Sequence, residues 1–151
     1  MHTAISNSKI DISTKESIKK LAEDFTNYLH KGSLACLYGE VGVGKTTFIK
    51  YFINHYQIKN NLKITEVTSP TFSILNEYEA GDLLIKHYDL YRLKHKSEIN
   101  ELDLFDNRQN TITFIEWPEI LSKNQKFKSV DLIFSYENNL NNRTVKISGL
   151  T

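Results

Sequence analysis

The stretch GEVGVGKT (39–46) decides which fold this chain can adopt. It satisfies the pattern G-x-x-x-x-G-K-[ST] at every fixed position. The apolar run SLACLY (33–38) before it suits a buried strand, and TTFIKYFINHY (46–56) after it has helical apolar spacing. Its glycines let backbone N–H groups converge on one anion, and the positive end of the helix points at the same place. The stretch therefore predicts a phosphate-binding loop that joins a strand to a helix.

The last residues of this loop have separate predicted roles. In nucleotide-binding loops of this pattern the lysine, here Lys45, lies along the β- and γ-phosphates, and the hydroxyl of Thr46 ligates magnesium. Thr47 follows in the first helical turn. We expect the Lys45 ammonium to face solvent when no nucleotide is bound.

Length, charge and cysteine content limit the class of protein. The 151 residues fit one domain (1–151), and 19 Lys and Arg against 18 Asp and Glu give no strong net field for a nucleic acid or a membrane. Cys36 is the only cysteine, so it forms no internal disulfide and is interpreted as a core residue in a reducing compartment. No apolar run approaches the ~18 residues of a membrane span. We expect a cytoplasmic protein without a membrane partner.

The chain before the loop is predicted to contribute one edge strand and one helix. KIDI (9–12) is the strand candidate. A helix is expected over 14–30, because apolar residues recur there at steps of three and four and Ser13 and Glu16 have capping-box spacing. Gly32 ends this helix.

The chain after the loop is predicted to be rich in strands. The loop helix ends near Gln57, and 96–108 is a short helix or an irregular segment. Strand-like runs form two hairpins and one separate strand, namely 72–78 with 83–90, 130–136 with 143–148, and 111–117. These elements predict an α/β domain of the P-loop NTPase type, with three layers and a mixed, mostly parallel central sheet that carries antiparallel hairpins.

Two acidic residues stand at the ends of apolar strands, where ligands bind in open α/β sheets. Glu116 is interpreted as the magnesium acid, although a glutamate there can also be merely solvated. Asp89 orders either the attacking water or the metal shell, or it is a helix cap or turn residue. Arg92 meets phosphate or a partner, or is simply exposed. His87 is interpreted as structural, because phosphoryl transfer needs little covalent help from the protein.

Four motifs together resemble the bacterial TsaE family, the ATPase component of tRNA threonylcarbamoyladenosine synthesis. They are GEVGVGKTTF (39–48), TSPTFSIL (68–75), HYDLYRL (87–93) and IEWPE (115–119). Many nucleotide hydrolases share the first motif, but the other three in combination are specific to this family. The resemblance spans nearly the whole chain.

The resemblance implies a role in N6-threonylcarbamoyl modification of adenosine 37 in tRNAs that read codons starting with A. It implies ATP and Mg²⁺ as cofactors and TsaB and TsaD as protein partners, with tRNA met only through their complex. TsaD transfers the threonylcarbamoyl group from an adenylate made by TsaC. Members of the family support turnover of the pathway rather than the transfer chemistry, so hydrolysis is expected to be slow without the partners.

The resemblance also assigns the site residues. Lys45, Asp89 and Glu116 are the expected catalytic residues, and Thr46 and Glu116 the expected metal ligands. The segment 69–72 matches a switch-like element of the family, and Trp117 follows the metal acid. The resemblance assigns the base side to the start of the first helix and the last hairpin, here Ser13–Glu16 and Asn138–Arg143, which show no motif of their own. The expected nucleotide-binding residues are Gly39, Glu40, Val41, Gly42, Val43, Gly44, Lys45, Thr46, Thr47, Ser69, Thr71, Lys15 and Asn142.

Two other functions remain open from the sequence. A small-molecule kinase would use the same loop but needs a lid with converging arginines. The segment 94–128, where such a lid would lie, has a single arginine, Arg108. A nucleotide-gated binding module would use slow hydrolysis only to reset a complex. A GTPase is disfavoured because the chain has no Asn-Lys-x-Asp guanine signature.

Overall fold

The computed structural model describes residues 8–99, 102, 104, 109–121 and 128–150. These residues form one sheet, two long helices and short helical turns. The helices are α1 (Lys15–Phe25), α2 (Lys45–Lys59), α3 (Lys96–Ile99) and a 3₁₀ helix (Pro118–Ile120). The strands are β1 (Lys9–Asp11), β2 (Leu34–Tyr38), β3 (Leu75–Ala80), β4 (Leu83–Asp89), β5 (Thr111–Glu116), β6 (Val130–Tyr136) and β7 (Arg143–Ser148).

The seven strands lie in the order β1-β7-β6-β2-β5-β4-β3. The four central strands β6, β2, β5 and β4 pair in parallel, while β1, β7 and β3 pair antiparallel at the two sides. The fold is therefore α/β with a mixed sheet. The sheet was expected to be mostly parallel, and this holds only for its four central strands. Because β2, β4 and β5 run in parallel, their carboxyl ends meet at one edge of the sheet.

Helices α1 and α2 cover one face of the sheet with a core rich in phenylalanine. The Phe48 ring lies 5.4 Å from that of Phe25, 6.5 Å from Phe114 and 6.1 Å from Phe134, between centroids and all edge to face. Such pairs contribute about 0.5–1.5 kcal/mol each beyond their buried area. Phe48 therefore joins α2 to both α1 and the sheet, directly behind the loop 39–44.

The other face has a smaller apolar cluster. Its buried residues include Cys36, Tyr88 and Ile115 from the sheet, covered by Ile99 and by Leu121 after the 3₁₀ helix. Burial raises the pKa of the Cys36 thiol to about 12, so the side chain stays neutral. The prediction that Cys36 is a core residue is confirmed.

Helix α1 differs from its prediction at both ends. The predicted Ser13 cap is wrong by one residue, because the Ser13 hydroxyl donates instead to Asp11 at 2.6 Å. Thr14 is the cap, and it forms the reciprocal capping box with Ser17. The helix ends at Phe25 rather than residue 30, since the Thr26 hydroxyl donates to the Glu23 carbonyl at 2.6 Å and the next residues form turns.

Most strand predictions agree with the structure. Strands β6 and β7 have the predicted bounds, and β3 begins at Leu75 instead of residue 72 because Ile74 has a φ of 71°. Within 96–108, α3 takes up 96–99, and most of the remainder, including Arg108, lies outside the described residues. Residues 1–7 also lie outside them.

The core behind the loop gives a first prediction. Phe48→Ala should lower the free energy of unfolding by about 3–5 kcal/mol, because it opens a cavity shared by α1, α2 and the sheet. Urea denaturation measures the change in midpoint. Leu140→Ala, at an exposed position, is the control and should change stability by less than about 0.5 kcal/mol. A cost below about 1 kcal/mol for Phe48→Ala would contradict this view of the core.

Candidate active site

A cleft of about 330 Å³ opens at the carboxyl ends of β2, β4 and β5. It brings together the phosphate-loop residues, the hydroxyl-rich segment and both strand-end carboxylates. The residues that line it are Val41, Gly42, Gly44, Lys45, Thr46, Thr47, Ser69, Thr71, Asp89, Glu116 and Trp117.

The loop conformation depends on glycine at two places. Gly39 and Gly44 have φ values of 141° and 121°, which side chains rarely permit. A Cβ on Gly39 would also lie 2.8 Å from the Phe134 carbonyl oxygen. Gly44 precedes α2 and offers no side-chain cap. The first N–H groups of α2 therefore lie at the cleft without a capping side chain, as an anion site requires.

Lys45 is not solvent-facing, contrary to the expectation, because it is only 4% exposed. Its ammonium donates to the Gly39 carbonyl and lies 3.7 Å from the centroid of the Trp117 ring. Burial lowers the pKa of Lys45, against the opposing effect of the carboxylates of Glu116, Glu119 and Asp89. A bound phosphate must therefore take the ammonium away from partners it already has.

Thr46 and Glu116 meet at the floor of the cleft. The Thr46 hydroxyl donates to Glu116 Oε2 at 2.8 Å, and Glu116 is 3% exposed. His87 Nε2 lies 2.5 Å from the same oxygen. A hydroxyl beside a carboxylate is a hard-oxygen donor pair that suits Mg²⁺, which takes few protein ligands and completes its shell with water and phosphate. The two predicted metal ligands therefore fit the group.

Asp89 ties the hydroxyl-rich segment to the site. Its Oδ2 accepts from Ser69 at 3.3 Å and from Thr71 at 3.2 Å. Its Oδ1 accepts from the Tyr91 backbone N–H at 3.0 Å. The turn role that the sequence left open for Asp89 is therefore present, and the same carboxylate also anchors the segment beside the cleft.

Arg92 adds a second contact between these two segments. Its guanidinium donates to the Phe72 carbonyl at 3.2 Å and lies 5.4 Å from the Phe72 ring centroid. Phe72 itself is 84% exposed, and the half-buried Trp117 packs against Tyr91 with centroids 4.8 Å apart. Arg92 is not among the described residues that line the cleft. It holds the segment from outside.

Some predicted nucleotide-binding residues lie away from the cleft. Lys15 and Asn142 are exposed and are not among the described residues that line it. Glu40 is exposed as well, while Val43 packs in the core, so these two offer only their backbone to a phosphate. Arg143, the last residue of the expected base-side range, does lie near the loop, because its Nη1 is 3.9 Å from where a Gly44 Cβ would be.

The sequence leaves the contacts of three side chains near this site unassigned. Arg143 donates to the Ser13 carbonyl at 3.1 Å, Tyr136 donates to the Val41 carbonyl at 3.2 Å, and His87 contacts Glu116. Only His87 had a usable signal, because strand alternation places it on the same face as the residue two positions later. The other two depend on strand pairing across most of the chain.

Two further features are absent from the described residues. No three His, Cys, Asp or Glu side chains among them gather into a metal cage. None of the helices in this part of the chain combines the length and the apolarity needed to cross a membrane.

Comparison with known proteins identifies the family. Residues 12–145 match the family described as "Threonylcarbamoyl adenosine biosynthesis protein TsaE". The chain is similar to a tRNA threonylcarbamoyladenosine biosynthesis protein TsaE from Rickettsia bellii, 37% identical over 76% of this chain and 77% of the relative. It is similar to the protein of the same name from Rickettsia felis, 37% identical over 73% of this chain but 62% of that relative.

A solved structure supports the fold. The crystal structure of YdiB from Bacillus subtilis superimposes with a TM-score of 0.71 at 22% sequence identity, covering 95% of this chain and 86% of that one. At this sequence identity the structural similarity supports the fold alone. The family match extends over most of the sequence and includes all four motifs around the cleft. The chain therefore belongs to the TsaE family.

Proposed function

We propose that this protein is a magnesium-dependent ATPase that serves tRNA N6-threonylcarbamoyladenosine biosynthesis. The observation that carries the proposal is the convergence of Lys45, Thr46 and Glu116 in one cleft beside uncapped helical N–H groups. The printed names of the Rickettsia relatives, which refer to this modification, support the pathway.

The proposal includes a P-loop NTPase-like domain of three layers that spans 1–151. Its support is a glycine-dependent loop between β2 and α2, with parallel strands on both sides of β2. Such a sheet binds its ligand at the carboxyl ends of the strands. The position of the cleft at that edge agrees with the proposal.

The residues of the cleft divide the work of phosphoryl transfer. Backbone N–H groups of the loop and of α2 bind the phosphates, and the Lys45 ammonium neutralises their charge. Thr46 and Glu116 would hold Mg²⁺. When bound, the ion neutralises the charge that develops on the phosphate oxygens. The protein needs no covalent intermediate, because positioning and electrostatics supply most of the acceleration.

Asp89 has the task of holding Ser69 and Thr71 at the edge of this cleft. Both hydroxyls now point to its carboxylate at 3.3 and 3.2 Å. A γ-phosphate in the cleft offers them a competing acceptor, and hydrolysis removes it. Segment 68–72 thereby responds to the state of the nucleotide, which is how loop switches in nucleotide hydrolases work.

The proposed partners are TsaB and TsaD, with tRNA reached through their complex in the cytoplasm. Phe72 and Tyr91 are exposed aromatic residues on the two segments that Asp89 and Arg92 join. Exposed aromatic side chains beside a nucleotide site suit a protein interface. Nucleotide state and docking are thus linked through the same few contacts.

The binding-module alternative differs in how much hydrolysis the chain performs alone. The structural reason to retain it is the Lys45 ammonium, which is already paired with Gly39 and Trp117. Comparing phosphate release by the isolated protein with release in the presence of TsaB and TsaD tests this. Turnover that requires the partners favours a gated module, whereas equal turnover favours an independent enzyme.

Lys45→Ala should reduce ATP turnover by about 10²-fold or more, because a charge that stabilises the transition state is lost. Phosphate release measures the effect, and circular dichroism checks the fold. Lys50→Ala, an exposed lysine on the same helix, is the control and should retain normal turnover. Undiminished hydrolysis by Lys45→Ala would remove this residue from the site.

Glu116→Gln should impair magnesium-dependent hydrolysis more than nucleotide binding, since the substitution keeps the shape and removes the charge. Turnover is measured across magnesium concentrations, with nucleotide affinity determined in parallel. Glu119→Gln, an exposed neighbour, is the control. Normal affinity and turnover of Glu116→Gln at limiting magnesium would show that the metal-ligand assignment is wrong.

Thr71→Ala should reduce the difference in TsaB–TsaD affinity between a non-hydrolysable ATP analogue and ADP. A tenfold difference corresponds to about 1.4 kcal/mol, within reach of one or two charge-assisted hydrogen bonds. Ser73→Ala is the control, because its hydroxyl contacts Asn76 instead of Asp89. Equal affinities for both nucleotide states in the unmodified protein, or a full-size difference in Thr71→Ala, would count against Thr71 as the sensor.

A further inference from the structure

We propose that His87 is a positioning residue for the magnesium acid: its Nε2–H fixes the orientation of the Glu116 carboxylate. This inference rests on the proposed ATPase function and deepens it. Among the described residues His87 is fully buried, at 0% exposed, and its Nε2 lies 2.5 Å from Glu116 Oε2. None of the roles already described for the cleft uses this residue.

Sheet register brings the two side chains together. Strands β4 and β5 are parallel neighbours, with His87 opposite Phe114 and Asp89 opposite Glu116. Residues two apart on a strand share a face, so His87, Asp89, Phe114 and Glu116 all lie on the side of the sheet that α2 covers. His87 stands one pair behind the carboxylates, inside the protein, where it can support Glu116 without meeting the nucleotide.

The hydrogen bonds at Glu116 leave its oxygen Oε2 little freedom. Oε2 accepts from the Thr46 hydroxyl on α2 and from His87 on β4. A carboxylate that ligates magnesium only accepts hydrogen bonds, so in the proposed role the proton of this contact is on Nε2. Two donors from different elements fix both the rotation and the tilt of the carboxylate. Donors of this kind around a metal ligand orient it and are worth about 10–100-fold in metal affinity.

The second ring nitrogen separates this role from an ordinary buried histidine. Nδ1 is buried and has no hydrogen-bond partner within the described part of the chain. A histidine kept only for packing and internal hydrogen bonds is expected to satisfy both nitrogens. In His87, Nδ1 is left without a hydrogen bond, while Nε2 faces Glu116, the predicted metal ligand. Its placement is thus explained by Glu116.

The test compares three substitutions at position 87. His87→Leu keeps the apolar volume and removes the donor, His87→Gln can place an amide nitrogen near the Nε2 position, and His87→Asn is polar but one carbon too short. ADP affinity is measured by calorimetry, in EDTA and over a range of Mg²⁺ concentrations. His87→Leu and His87→Asn should raise the half-saturating Mg²⁺ concentration by about 10–100-fold. His87→Gln should stay within about threefold of the unmodified protein, and all affinities in EDTA should agree within about twofold.

A double-mutant cycle with Glu116→Gln tests whether His87 acts through Glu116. Adding His87→Leu to Glu116→Gln should change the Mg²⁺ dependence by less than about twofold, since the side chain that His87 orients has lost its charge. Tyr88→Phe is the matched control, because it removes a hydrogen bond from the same strand but on the opposite face, to the Leu102 carbonyl at 3.0 Å. It should leave the Mg²⁺ dependence unchanged.

The outcomes that overturn the inference are distinct. Normal Mg²⁺ dependence in His87→Leu, equal losses in His87→Gln and His87→Asn, or additive losses in the cycle would each show that His87 is only structural. If His87→Leu does not fold, the half-saturating Mg²⁺ concentrations of His87→Gln and His87→Asn decide the question. ADP binding by the unmodified protein that ignores Mg²⁺ would overturn the proposed function together with this inference. If ADP binding by the unmodified protein depends on Mg²⁺ and the His87 variants show the same dependence, only the role of His87 is overturned.

Discussion

One buried carboxylate ties together the elements on which the site depends. Glu116 stands at the end of β5, and its Oε2 receives hydrogen bonds from α2 through Thr46 and from β4 through His87. A carboxylate removed from water is costly unless donors surround it, by several kcal/mol even after relaxation. The strand, the helix and the neighbouring strand must therefore reach their mutual positions together. The contacts that hold this carboxylate are part of what specifies the fold.

Lys45 is a buried cation held by a backbone carbonyl and an aromatic ring. Without phosphate the ammonium rests between the Gly39 carbonyl and the face of Trp117. These contacts give the ammonium partners although it is almost fully buried. A phosphate would offer it a full negative charge in the same low-dielectric space. Trp117 has a left-handed backbone, with a φ of 56°, which residues other than glycine rarely adopt.

The sequence predicted the parts of this structure that local chemistry controls. The loop glycines, the apolar runs around 34–38 and 111–116, and the last hairpin all follow from short patterns. The cap of α1 did not, because the choice between Ser13 and Thr14 depends on Asp11, which competes for the Ser13 hydroxyl. The surroundings of Lys45 were also missed, since they require Trp117 from 72 positions later in the chain to lie over the loop. Long-range packing, rather than motif chemistry, decides such contacts.

The strand order has a consequence for how other molecules can approach this protein. Its two outer strands are β1, which is three residues long, and β3, whose exposed face carries Glu77 and Glu79. Shortness and repeated like charge are features that discourage a further strand from adding to a sheet edge. Growth of the sheet by backbone pairing is thus disfavoured at both sides. The carboxyl edge instead exposes side chains, among them the aromatic rings of Phe72 and Tyr91.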